Sequence, residues 1–174
     1  MPSAGIDWIE EQPDILRSRA PCPAVAPEII KELKRRAVAS PRSRARWCAH
    51  PDNQSETQEM LIVLTKQTCI PPHRHPGRSE TLCVLEGRAR AWFFDEAGRV
   101  VRCLQMTPAS DGGTFLYRTK PDEFHTLELE TDFFVFLETT RGPFEPNSTE
   151  VASFAPRSDD LGDYREFFAG LKES

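Results

Sequence analysis

The pattern of apolar and polar positions divides the chain into a helical segment, a long β-rich region and a second helical segment. In Pro27–Ser40, apolar residues recur at helical spacing after a proline, and basic residues lie toward the end, which predicts a short N-terminal amphipathic helix. In Asp160–Glu173, apolar residues again recur at three- and four-residue intervals, which predicts a C-terminal helix covering part of the core. Residues 1–27 show no sustained period, so we expect an N-terminal arm there that packs late or stays loose.

Between residues 57 and 140 the pattern changes to short β-rich runs separated by turn residues. The runs are EMLIVLT, TLCVLEG, RARAWFFD, RVVRCLQM, TFLYRT, FHTLELE and DFFVFLET. Near-regular spacing without intervening helices indicates a mainly β protein with an antiparallel sandwich or barrel. Turn residues at 96–98, 111–113 and 131–132 suggest three hairpins, and hence a closed structure rich in meanders.

Composition narrows the class of protein. The 174 residues carry 22 basic and 27 acidic side chains, a net charge of −5, and the first 50 residues hold only a small basic excess. That excess is too small to suggest a nucleic-acid footprint, and no apolar stretch approaches the roughly 18 residues of a membrane span. The five cysteines are scattered and form no CxxC pair, so we expect reduced thiols and a cytoplasmic protein.

The segment IPPHRHPGRSETLCVLEG carries the strongest chemical signal. On an extended chain His73 and His75 face the same side and Arg74 faces the other. Glu80 opens the next β run, so two imidazoles and a carboxylate could converge inside a barrel. A divalent cation would satisfy all three groups, whereas burying them without a partner would cost several kcal/mol. The alternative is a pair of histidines on an exposed strand.

These residues resemble the first motif of the cupin superfamily, which reads His-x-His, three or four residues, Glu, six residues, Gly. His73, His75, Glu80 and Gly87 fit this motif, although Gln67 replaces the glycine that usually precedes it. The second cupin motif supplies another histidine, and KPDEFHTLE offers His125 in a degenerate match. His125 lies 50 residues after His75, as expected if a closed barrel joins distant strands; a core or surface histidine is the alternative.

Over about residues 28–157 the chain is similar to the WbuC family of cupin-fold metalloproteins. The matching segments are SPRSRARWCAHPD, the long stretch from PPHRH to AGRV, EFHTLELE, VFLETTRGPFEP and FAP. The resemblance implies a cupin-type, jelly-roll-like antiparallel β-barrel within residues 28–157. From the apolar spacing, we expect the C-terminal helix at 158–174 to pack on the same domain. The resemblance further implies a metal held by His73, His75, Glu80 and His125, and an association with bacterial surface-polysaccharide gene clusters. It names no reaction.

Basic side chains before the metal motif are candidates for ligand binding. Arg42, Arg44 and Arg46 alternate with small residues, so an extended segment would direct them to one side. They either form a solvated basic face that pairs with acidic side chains or bind an anion, for which arginine forks are suited. His50 is expected to form structural hydrogen bonds near the barrel mouth, with substrate binding as the alternative.

Three imidazoles and one carboxylate suit one divalent transition metal, Fe, Mn, Ni, Co or Zn. Four protein ligands on an octahedral ion would leave two positions for a small polar, anionic or sugar-like ligand. We therefore expect a metal-dependent enzyme, such as an isomerase, epimerase or oxygenase, with Tyr117, Glu128 and His50 as candidate bases. A non-catalytic binding or sensor module and a vestigial motif are the alternatives. A homodimer is also possible.

Overall fold

The computed structural model describes residues 8–145, 148–157 and 160–171, which hold the following helices and strands. The helices are α1 (Pro27–Ala39) and α2 (Leu161–Gly170). The first six strands are β1 (Trp8–Gln12), β2 (Ile15–Ser18), β3 (Arg44–Cys48), β4 (Thr57–Thr65), β5 (His73–Arg74) and β6 (Glu80–Glu86). The others are β7 (Ala89–Phe94), β8 (Val100–Met106), β9 (Leu116–Arg118), β10 (Phe124–Leu129), β11 (Phe133–Arg141) and β12 (Glu150–Val151). The start of the predicted N-terminal arm and the two ends of the predicted C-terminal segment, at 158–159 and 172–174, lie outside the described residues.

The strands form two sheets, one in the order β1-β2-β3-β4-β11-β6-β9 and the other in the order β12-β5-β10-β7-β8. All pairs are antiparallel except β2 with β3. The expected cupin-type barrel is confirmed. The expected meander is wrong, because most neighbours across the barrel are distant in sequence. Of the three predicted turns, only 96–98 joins a paired hairpin, β7 with β8; the other two carry the chain from one sheet to the other.

The two helices cover opposite layers of the molecule. The largest apolar cluster lies between the two sheets. A second cluster lies between α1 and the outer face of the larger sheet, and a third lies between the outer face of the smaller sheet and α2. β4 is therefore buried on both faces along most of its length, which explains its nearly continuous apolar run. Neither described helix is long and apolar enough to cross a membrane.

Helix α1 begins at Pro27, where the missing N–H costs nothing, and its buried face consists of Ile29, Leu33 and Ala37. On its exposed side, Glu32 accepts hydrogen bonds from Arg35 at 2.7 Å and from Arg36 at 2.7 Å. The hydrogen bond from Arg35, followed by that from Arg36, lowers the pKa of Glu32 to about 2. The helix thus carries its own ion-pair network.

The expectation of a loose N-terminal arm is wrong for residues 8–18. They form the β1–β2 hairpin, which extends the larger sheet beyond β3. Leu16 is fully buried beneath α1, and the buried Arg17 donates to the carbonyl of His50 at 3.0 Å and to Asn53 at 2.9 Å. These partners are more than 30 residues away, and the apolar run is only two residues long, so no local period revealed the strand.

The glycine that closes the first cupin motif lies at a crowded turn after β6. Gly87 has φ +85°, and a Cβ atom there would lie 2.1 Å from the carbonyl oxygen of Phe133. The turn therefore requires glycine for both its left-handed backbone and its lack of a side chain. Gly77 also has a positive φ, +67°, but no atom of the described residues lies within 4 Å of the corresponding position.

Candidate metal centre

The first histidine of the His-x-His motif, His73, opens β5 in the smaller sheet, and His75 follows directly after this strand. His73 is directly opposite His125 of β10 in the register of these antiparallel strands. Arg74 points the other way, as expected, and binds Glu96 at 2.6 Å and Glu150 at 2.8 Å. The short strand thus separates an inner face, which carries the candidate ligand His73, from a charged outer face, because neighbouring side chains alternate across a sheet.

The histidine rings are oriented so that their Nε2 atoms remain available. The Nδ1 atoms of His73 and His125 lie 2.8 Å from the Pro71 carbonyl and 2.9 Å from the Glu123 carbonyl. Carbonyl oxygens only accept, so each Nδ1 carries a proton and the Nε2 of the neutral ring has a free lone pair. Such backbone partners are typical of metal-ligating histidines.

His75 and Glu80 complete the group. Nδ1 of His75 lies 3.3 Å from Oγ1 of Thr149. Oε1 of Glu80 lies 2.9 Å from Nε2 of His75, and its Oε2 lies 3.3 Å from Nε2 of His125. Nevertheless, Nε2 of His75 is buried and makes no hydrogen bond of acceptable geometry with the residues that the structure describes. A buried nitrogen left in this state requires a partner, and a metal ion would provide it.

The four predicted ligands therefore converge. One donor atom each from His73, His75, Glu80 and His125 lies within 4.8 Å of the others. Burial, with the nearby His125, lowers the pKa of His73 to about 4. Burial alone would raise the pKa of Glu80, but the imidazoles of His125 and His75 hold it well below its usual range. His73 is thus neutral and Glu80 ionised near neutral pH, which are their ligating forms, and this donor set fits a divalent transition metal.

The metal-ligand group lies on the wall of a cavity of about 410 Å³. All the predicted ligand-binding residues, Arg42, Arg44 and His50, also lie on its wall, as does Arg46. Arg42 is held by Asp14, whose carboxylate accepts from it at 2.7 Å. Of the two roles considered for these arginines, Arg42 therefore shows the first, which is pairing with an acidic side chain rather than binding an anion.

The side chain of His50 is already engaged. Its Nδ1 accepts from the backbone N–H of Glu59 at 3.0 Å, and burial lowers its pKa. This hydrogen bond fits the structural role expected for His50.

Sequence reasoning missed Glu138 on β11, which also lines the cavity. Within the described ranges its carboxyl group has no hydrogen bond or ion pair. Burial, together with the negative charge of Glu80, raises its pKa. The alternating side-chain directions along β11 could have revealed this position, because Glu138 shares a face with the buried Phe134 and Phe136.

The three candidate bases lie in different places. Tyr117 lines the cavity, and burial raises its pKa beyond its ordinary value. His50 lines the cavity as well. Glu128 does not reach it; its carboxylate accepts from the indole nitrogen of Trp92 at 3.0 Å, in the cluster on the outer face of the smaller sheet. Glu128 was therefore a wrong candidate, because its position in β10 places it on the face opposite His125.

The chain was compared with protein-family models, with curated proteins and with solved structures, and the solved structures include proteins of similar fold. A family model described as a domain of unknown function (DUF6016) matches residues 25–106, and no curated protein matches the chain. A structure of the capsular polysaccharide assembling protein CapF from Staphylococcus aureus is similar at 17% identity and a TM-score of 0.52, covering 64% of this chain and 32% of that one. A second CapF structure is similar at 16% identity and a TM-score of 0.50, and the match covers 62% of this chain and 29% of that one.

An uncharacterized conserved protein from Klebsiella pneumoniae with a double-stranded β-helix domain gives 15% identity and a TM-score of 0.47, covering 63% of this chain and 79% of that one. The chain spans about a third of the length of the CapF chains. At these identities the likeness to CapF concerns the fold. The fold and the side-chain group together define a cupin-type barrel with a candidate metal centre.

Proposed function

We propose that this protein is a metal-dependent cupin of the WbuC type that acts on a small polar or sugar-like molecule in the cavity beside the ion. The observation that carries the proposal is the convergence of three imidazoles and one carboxylate, with a buried His75 nitrogen that has no hydrogen bond to any described residue. The WbuC-like segments of the sequence and the likeness to a capsular polysaccharide assembling protein support a role in surface-polysaccharide metabolism.

The protein's own residues would hold the ion and shape its surroundings. His73, His75, Glu80 and His125 would bind it, and the ion would polarise an oxygen of the ligand. Glu138 and Tyr117 face the same cavity, and burial raises the pKa of both groups, which favours their protonated forms. They could therefore donate a hydrogen bond to a ligand hydroxyl, and Glu138 could exchange a proton with it. A group that can exchange a proton beside the ion supports catalysis over the alternative, a non-catalytic binding or sensor module.

The metal analysis of protein purified without added metal tests the site. We expect one transition-metal ion per chain in the wild type and a large loss in His75→Ala and Glu80→Gln. His50→Gln is the matched control, because His50 lines the same cavity but lies outside the ligand group. Circular dichroism would verify that each variant is folded. Equal metal contents in wild type, His75→Ala and Glu80→Gln would remove the proposed site.

Turnover distinguishes an enzyme from a binding module. The metal-loaded protein would be incubated with sugar nucleotides, and products followed by chromatography. Product formation that is lost in Glu80→Ala supports the enzyme. Tight binding without product in long incubations would instead establish the non-catalytic module.

A further inference from the structure

The cavity carries more positive charge than its acidic side chains neutralise. The arginines on its wall are Arg17, Arg42, Arg44, Arg46 and Arg78. Glu11 pairs with Arg17, and Asp14 pairs with Arg42. The other three arginines make no ion pair within the described residues, and they outnumber the two remaining acids on the wall, Glu80 and Glu138. A divalent ion would add two positive charges, so the cavity attracts an anion even with both acids ionised.

Arg46 is the least satisfied of these cations. Its Nε is buried and has no hydrogen-bond partner in the part of the chain that the structure describes. It lies on β3 with Arg44, two residues away on the same inner face, and Arg44 is more exposed. A buried guanidinium nitrogen without an acceptor is costly, and a planar carboxylate matches the guanidinium fork. The pair therefore forms a binding site for an anionic oxygen group.

The order of strands relates this pair to the metal centre. β3, β4, β11 and β6 are consecutive neighbours in the larger sheet. Arg46 on β3 and Glu80 on β6 are thus three strands apart, which corresponds to about 14 Å between the strand axes. The register places Arg46 level with Val84 of β6, so Glu80 is also displaced by four residues, or about 13 Å, along the strand. Glu138 on β11 lies between them and faces the same cavity. Side chains reach inward from both ends, so the remaining gap suits a molecule of several carbon atoms.

On the basis of the proposed function, we infer that the ligand is a small hydroxylated carboxylic acid, such as a sugar acid. Arg46, assisted by Arg44, binds its carboxylate, while hydroxyl groups at its other end face the metal centre. Glu138 lies where it can exchange hydrogen bonds with a hydroxyl group in the middle of the molecule. This assigns the anion site to Arg46 and Arg44, whereas Arg42 is neutralised by Asp14.

Calorimetric titration of the zinc-loaded protein tests the ligand class. The probes are D-glucuronate, D-gluconate, glucose and glucose 6-phosphate. We expect at least one of the two acids to bind about tenfold or more tightly than glucose, since glucose lacks the charged group. Equal affinity for glucose, or no binding of either acid, overturns the inference. Tighter binding of glucose 6-phosphate than of both acids assigns the site to a phosphate and overturns the carboxylate.

Variants then locate the anion site. In Arg46→Gln the bound acid should lose about 10- to 100-fold in affinity, the range of one charge-assisted contact, and Arg46→Lys should lose less because it keeps the charge without the fork. Arg88→Gln, an exposed arginine after β6, is the matched control and should bind as the wild type does. Unchanged binding by Arg46→Gln overturns the assignment.

The metal content of the same samples separates this inference from the proposed function. Arg46→Gln should retain the metal content of the wild type, because Arg46 is not one of the ligand residues. Loss of metal in Arg46→Gln would show that the arginine acts through the metal centre and would overturn its assignment to the ligand. A wild type that binds zinc but neither acid refutes only the inference, whereas a wild type that binds no zinc refutes the proposed function.

Discussion

Truncation of Leu16 tests whether the N-terminal hairpin is an integral part of the barrel. Leu16 is fully buried between β2 and α1. The change Leu16→Ala removes apolar groups equivalent to about three methylenes, or about 2.4 kcal/mol of transfer free energy. The space left beneath α1 adds about 1 kcal/mol. We therefore expect the free energy of unfolding to fall by about 3 kcal/mol, which corresponds to a decrease of about 6–12 °C in Tm for a chain of this size.

Urea unfolding followed by tryptophan fluorescence, together with thermal unfolding, measures this loss. Trp47 belongs to the same apolar cluster as Leu16 and would report directly on it. Leu85→Ala is the matched control, because Leu85 is a leucine in a strand that is 47% exposed, and its loss should stay below about 0.5 kcal/mol. If Leu16→Ala were no less stable than Leu85→Ala, the hairpin would not be packed as described.

Two further changes probe the turn after β6 and the surface of α1. Gly87→Ala should destabilise the protein by several kcal/mol in urea unfolding, since it combines a positive φ with a backbone collision. Gly77→Ala should cost only about 1 kcal/mol, because it adds only the strain of its positive φ. Equal losses of stability in the two variants would contradict the crowding at Gly87. Glu32→Gln should lower the free energy of unfolding by about 0.2–1 kcal/mol at pH 7. Because the folded-state pKa of Glu32 is lowered from 4.5 to about 2, its contribution is present above pH 4.5 and is lost as the pH falls toward 2. Urea unfolding of both proteins between pH 7 and pH 2 measures it, and a difference independent of pH would refute the role of the ion pairs.

The fold class and the convergence of His73, His75 and Glu80 were predictable because both depend on spacing, whereas the place of His125 beside them was predicted mainly from the resemblance to the cupin motifs. Alternation placed His73 and His75 on one face and Arg74 on the other, and the structure confirms that arrangement. The strand pairing was not predictable in the same way. β11 lies between β4 and β6, and the contacts that select these partners form across long stretches of chain that no local pattern encodes.

The wall of the cavity was predicted only in part. Arg44 was identified from alternation, but the pairing of Arg42 with Asp14 depends on β2 lying beside β3, and that strand was missed. Glu138 lies in a run dominated by phenylalanines, and this pattern predicts only a core strand. Its chemistry becomes visible only when the position of β11 shows that it faces the space beside Glu80.

The pairing of His73 with His125 has a consequence for the order in which the protein matures. The two residues are brought into register by strands that are 52 positions apart, and a slip of one residue would turn one imidazole to the outside. If these side chains hold an ion, its tight binding must therefore follow correct closure of the barrel. The time course of ion uptake during refolding would then report when the barrel closes. We expect this uptake to lag behind the formation of the local hairpins.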